Sequence, residues 1–135
     1  MSKNFTPLPC ELAVKAIIPA LRAMLAKELT QTYTMKQQDI ASALGLTQSA
    51  VSQYLRSVRG RAIDLYSVQG VDKIVKEMST TILNDRISPA SINRMYCEAC
   101  RLVRETRLLC TLHKKVDPDF NVEGCVSCLP VSYRC

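Results

Sequence analysis

The sequence predicts an all-α protein, and three observations carry that expectation. Only four of its 135 residues are glycine, and few stretches alternate apolar with polar residues as a half-buried strand would. Apolar residues instead recur at spacings of three and four. Capping signals stand ahead of several of those stretches.

Residues 9–29 form the first such stretch, with Val14, Ile17, Ile18, Leu21 and Leu25 on one stripe that reads as core packing. Pro19 interrupts it and predicts a kink or two abutting helices, because proline lacks the donor and its ring crowds the preceding turn. Thr34 and Gln37 fit a capping box for a short helix over 35–44. Gly45 stops that helix, and Thr47 caps a second one running to about residue 59. Val71, Ile74, Val75, Met78 and Ile82 mark an amphipathic helix over 71–84. Ser88-Pro89 then opens a long helix over 89–108, with serine as cap and proline at the first helical position. Its buried stripe is Ile92, Met95, Tyr96, Ala99, Leu102, Val103 and Thr106. From about residue 116 the tail, with Pro118, Asn121, Gly124 and Pro130, shows little periodicity and cannot build a core of its own.

Composition narrows the class. Hydrophobic residues at 47% and charged residues at 22% exclude a wholly disordered chain. The longest apolar run, residues 16–21, is far shorter than the roughly 20 residues a membrane-spanning helix needs. The first residues lack the apolar stretch of a secretory leader, so a cytoplasmic protein without a membrane partner is expected. A net charge of +6 and a pI near 9.0 favour a polyanionic partner. That charge is uneven: residues 1–62 carry eight Lys or Arg against three acids, and residues 63–135 ten against nine. Five of the seven cysteines fall in the second segment apart from the terminal Cys135. A soft boundary therefore lies within 60–70, dividing a basic segment (1–62) from a cysteine-rich one (63–135).

Residues 37–55 have the spacing of a DNA-binding helix-turn-helix. Two short helices that cross steeply need a small residue at the contact (Ala41) and glycine at the turn (Gly45). They also need apolar residues in the wedge, here Ile40, Leu44, Leu46, Val51 and Leu55. The other face of the second helix, which Thr47 caps, carries Gln48, Ser49, Ser52, Gln53 and Arg56, side chains able to reach base edges in a major groove. Arg56, Arg59 and Arg61 are placed for phosphates. A plain helical hairpin with a polar outer face is the bland reading; it does not call for the Thr-Gln-Ser cap and three clustered arginines together.

Cys97 and Cys100 lie off the buried stripe of the 89–108 helix, on a flank shared with Arg104, three residues apart and so neighbours in space. Cys125 and Cys128 form a second pair in the tail, separated from the first by 24 residues. Two such pairs are the spacing of a four-thiolate site, in a compartment that discourages disulfides. Zinc and an iron–sulfur cluster compete for these ligands. Three features favour a [4Fe–4S] or [3Fe–4S] cluster: the extra thiol of Cys110, the nearby charges of Arg101, Arg104 and Arg107, and a Cys128-Leu129-Pro130 run that resembles ferredoxin loops. Cys110 is a packing residue if the helix continues past Arg107, and a substitute ligand if the chain folds back near Leu108. His113 reads as a solvated residue, Cys10 as packed at the start of the first helix, and Cys135 as a loose terminal thiol.

Pro19-Ala20-Leu21-Arg22-Ala23, the helix-turn-helix and Val51-Ser52-Gln53-Tyr54-Leu55 with Arg59-Gly60 resemble a group of archaeal transcriptional regulators. These join an Xre-like helix-turn-helix to a cysteine-rich C-terminal part. The resemblance covers most of the chain and implies a homodimeric prokaryotic-type regulator bound to promoter DNA. The expected function is thus a sequence-specific DNA-binding regulator, not an enzyme, whose cluster senses redox state or iron. A structural zinc site is the nearest alternative. A thiol/disulfide enzyme would need a strand-rich thioredoxin-like framework, and no Ser/His/Asp set, phosphate-binding glycine loop or paired catalytic carboxylates occur. RNA binding by the basic half is a further alternative.

Overall fold

The first helical stretch shows how the chain handles Pro19. In a computed structural model, which describes residues 8–84, 88–121 and 123–125, three segments run on without a break. They are α1 (Pro9–Leu12), a π-helical segment (Ala13–Ile17) and α2 (Ile18–Gln31). A proline ring collides with the carbonyl four residues before it in a regular helix. The widened π turn makes room, and the Ile18 amide donates instead to the Ala13 carbonyl, five residues back. The extra residue also shifts the phase of the helix. Val14, expected on the buried stripe, is consequently 66% exposed, while Ile17 is fully buried.

The axis of the molecule is α2. Leu21, Leu25, Ala26 and Leu29 are buried along it, and α2 touches α3 (Gln37–Leu44), α4 (Gln48–Leu55), α5 (Val71–Leu83) and α6 (Pro89–Glu105). Each fully buried leucine is worth roughly 1.5–3 kcal/mol, so this one helix organises both segments of the chain. Ile63, Leu65 and Val68 pin the intervening loop onto the same hydrophobic cluster. The change in charge near residues 60–70 therefore falls within one continuous core.

Several predicted boundaries shift, two of them for reasons visible in the backbone. Thr34, expected to cap α3, has φ 55°, and its amide donates to Thr30, so it closes the end of α2 instead. Lys36 is the N-cap of α3 and supplies no side-chain hydrogen bond. The long helix expected over 89–108 ends at Glu105, where Arg107 turns left-handed with φ 62° and the Thr106 hydroxyl donates to the Val103 carbonyl. A further helix, α7 (Leu108–Val116), then doubles back to pack on α6 and α1. At the other end of α6 the expected cap holds: the Ser91 amide donates to Ser88 Oγ at 3.1 Å. All regular structure among the described residues is helical. No helix among them is long and apolar enough to cross a membrane.

Candidate nucleic-acid interface and thiol sites

The wedge between α3 and α4 is built from the residues that the spacing of the sequence singles out. Gly45 adopts φ 64°, and Gly45 and Leu46 both return amide hydrogen bonds into the last turn of α3, to Ser42 and Ala41. Thr47 then caps α4, its Oγ1 accepting from the Ala50 amide at 3.0 Å. Ile40 and Val51 are fully buried, Ala41 and Ala50 nearly so, and Leu44, Leu46 and Leu55 pack on the cluster from its edge. One further residue joins the wedge beyond those that spacing singled out: Tyr54 is only 3% exposed. It lies three residues after Val51, on the same face of the helix, so its spacing carried the signal.

The opposite face of α4 is open. Thr47, Gln48, Ser49, Arg56, Arg59 and Arg61 are exposed, and Ser52 and Gln53 are half-buried. The helix ends at Leu55, four residues earlier than expected, and the three arginines lie in the turn that follows. That turn is tightly bonded: the amides of Val58 and Arg59 both donate to the Gln53 carbonyl, at 2.9 and 3.3 Å. The Arg59 guanidinium lies 5.9 Å from the centre of the Tyr54 ring. The result is a polar helical face flanked by exposed cations, mounted on a buried wedge.

The cysteines are distributed differently. Cys97 is exposed and Cys100 half-buried on α6, lining a groove of about 170 Å³ with Ala13, Val14, Ile18 and Arg104. Cys10 lines the same groove from α1. Expected to pack at the start of the first helix, it is exposed. The flank that Cys97 and Cys100 share is also less open than expected: Arg104 is 5% exposed, because α1 and the π segment lie over it. Cys125 is half-buried at the α6–α7 corner, where its carbonyl accepts from Arg107 Nη1 at 3.3 Å. Cys128 and Cys135 lie outside the described residues. Of the neighbouring arginines, Arg101 pairs with Glu105 at 2.6 Å.

Cys110 is buried in α7, so the chain does fold back, yet it does so with Cys110 8% exposed and beside Arg107, Thr111, Lys114 and Glu123. Among the described residues no three Cys, His, Asp or Glu side chains are gathered as a metal site. His113 is not solvated: it is 4% exposed and stacked on Phe120 with ring centres 3.9 Å apart. Burial lowers its pKa below 6.5, with Asp117 acting weakly in the other direction.

Compared with family models, with curated proteins and with solved structures, the chain finds no match.

Proposed function

We propose that the chain is a sequence-specific, DNA-binding transcriptional regulator that acts in the cytoplasm as a homodimer. The observation that carries this reading is the outward polar face of α4, with Gln48 and Ser49 exposed beside Arg56, Arg59 and Arg61. A polar outer face alone is common to surface helices; here it is joined to the Thr47 cap and to three exposed arginines in the turn that follows. In a major groove, Gln48, Ser49, Ser52 and Gln53 would read base edges while the arginines neutralise phosphates. A two-fold dimer would set two such helices about 34 Å apart.

The test is binding of the full chain to fluorescent duplex DNA across a salt series, with duplex RNA as competitor. Affinity for DNA that falls steeply with salt is expected, since each neutralised phosphate contributes a slope of about −0.9. Preference for RNA, or affinity independent of salt, would overturn the assignment. Selection from a random-sequence pool then identifies the operator.

For the C-terminal segment we propose an iron–sulfur cluster on Cys97, Cys100, Cys125 and Cys128, acting as a redox or iron sensor. The support is the two-pair spacing, the placement of Cys97 and Cys100 on one side of α6, and the buried Arg104 beside them, whose charge would offset that of the thiolates. Three of these four residues are described; Cys97 and Cys100 share their groove with Cys10, and Cys125 lies apart from them beside Arg107, so the set requires the tail to move toward α6. When bound, such a cluster would supply one-electron chemistry and sensitivity to oxidants. Protein purified without oxygen should be brown and release acid-labile sulfide; a colourless protein holding one zinc per chain would instead favour the structural-zinc alternative.

A further inference from the structure

We infer that Lys27, on the central helix and outside the helix-turn-helix, is a positioning residue for the phosphate-binding turn of residues 56–61. This inference rests on the DNA-binding reading above and assigns it a component in another part of the sequence.

The turn after α4 is built around an uncommon conformation. Ser57 has φ 56°, a left-handed backbone that a residue other than glycine adopts only when its surroundings hold it there. The Val58 amide, donating to the Gln53 carbonyl, closes the helix end around Ser57, and a side-chain contact from thirty residues away is added to it: Lys27 Nζ donates to Ser57 Oγ at 3.1 Å in a part-buried setting. Three residues on, the backbone is fixed to the same helix a second time. A Cβ at Gly60 would lie 2.6 Å from the Pro19 carbonyl oxygen and 2.8 Å from Ala23 Cβ, so only glycine allows this approach. Between the two attachments sits Arg59, over the buried Tyr54 ring. The turn that carries the three arginines is therefore clamped to α2 on both sides, and Lys27 is the clamp that acts through a side chain.

The choice of lysine there calls for an explanation. Around it on α2, Ala23, Met24, Ala26 and Leu29 are buried, and Glu28 beside it is half-buried. Lys27 makes no ion pair among the described residues, and Arg56, Arg59 and Arg61 lie within four residues of Ser57, its hydrogen-bond partner. A fourth cation attached to the turn that carries the three arginines adds to their mutual repulsion. The C-terminal end of α4, where the helix dipole is negative, offsets part of this. A polyanion laid over the turn would offset the rest, so the arrangement makes sense for a surface that meets a phosphate backbone.

The experiment uses the full chain, a fluorescein-labelled random-sequence 30-base-pair duplex and the variants Lys27→Met, Lys27→Arg, Ser57→Ala and the Lys27→Met/Ser57→Ala pair. Phosphate binding is independent of sequence, so this duplex reads it without a known operator. Lys27→Met should weaken binding about tenfold and Ser57→Ala about threefold, the scale of one charge-assisted hydrogen bond. The double variant should bind no more weakly than Lys27→Met, and Lys27→Arg should recover most of the affinity. The slope of log affinity against log salt should stay at its wild-type value, because the arginines that neutralise phosphates are all still present. In protein without DNA, Lys27→Met should speed amide exchange at Val58 and Arg59, whose bonds to Gln53 depend on the turn.

Additive effects of the two substitutions, or a slope shallower by about 0.9, would make Lys27 a direct phosphate ligand and overturn the inference. Wild-type affinity and unchanged exchange in Lys27→Met would overturn it while leaving the DNA-binding reading intact. A wild-type chain with no affinity for the duplex would overturn both.

Discussion

Helices α4 and α6 pose the same question and the molecule answers it in two ways. Each has a buried apolar stripe and a flank of polar or reactive side chains. On α4 that flank stays open, because α3 approaches only from the core side and Gly45 turns the chain away at once. On α6 the flank is roofed by α1 and the π segment, which leave Cys97 exposed but draw Cys100 halfway in and bury Arg104. The difference teaches that a polar flank becomes a surface for a partner only where the chain's own remote segments leave it uncovered. For α4 those segments are nearby in sequence; for α6 the covering piece lies some ninety residues away.

The strongest way to probe the relation between the two regions is through the helix they share. Leu25 is fully buried in α2, and Leu25→Ala should cost about 2–5 kcal/mol. Thermal unfolding followed at a probe near α4 and at one near α6 should shift together, as a single transition. Two separated transitions would show that the basic and cysteine-rich segments fold as independent units.

A smaller effect separates the open face from its support. Arg56→Ala combined with Arg61→Ala should leave stability within about 0.5 kcal/mol of wild type, since both side chains are exposed. The same pair should weaken duplex DNA binding about tenfold or more, and make the salt slope shallower by about 0.9 for each phosphate left without its arginine. Unchanged affinity would mean that the exposed turn does not face DNA.

The smallest effect belongs to the roofed side. Burial lowers the pKa of His113 in the folded protein, whereas the unfolded chain takes up a proton near the ordinary value of 6.5. The unfolded state binds more protons in that interval, so stability should fall as pH drops below 6.5 and should level off once the folded imidazole protonates. His113→Phe, which keeps a ring against Phe120, should flatten this part of the profile in urea melts between pH 7.5 and 5.5. An identical pH dependence in wild type and variant would remove His113 from the account.

How far the fold is readable from the sequence follows the same division. Ala41, Gly45 and Thr47 act on neighbours within a few residues, so their roles follow from spacing, and the structure places them in those roles. Thr34 misleads because a threonine that could start one helix is already needed to end another. Arg107 misleads because nothing in its chemistry announces a left-handed backbone; the tertiary fold imposes it. Cys10, Arg104 and His113 depart from expectation because each depends on tertiary contacts. The exposure of Cys10 and the burial of Arg104 are set where the first helix meets α6, and that of His113 where Phe120 folds back on α7, and periodicity along one helix carries no information about either.

The π-helical segment gives the first helix an odd extra step. A single-residue deletion within 13–17 would restore the ordinary repeat, turning the strip of chain around Cys10 by about 100° relative to α2. The thiol would then leave the groove it shares with Cys97 and Cys100, while every side chain of α2 kept its place. One irregular turn thus works like an index mark on a dial, recording which angular setting of the first few residues belongs with the rest of the protein.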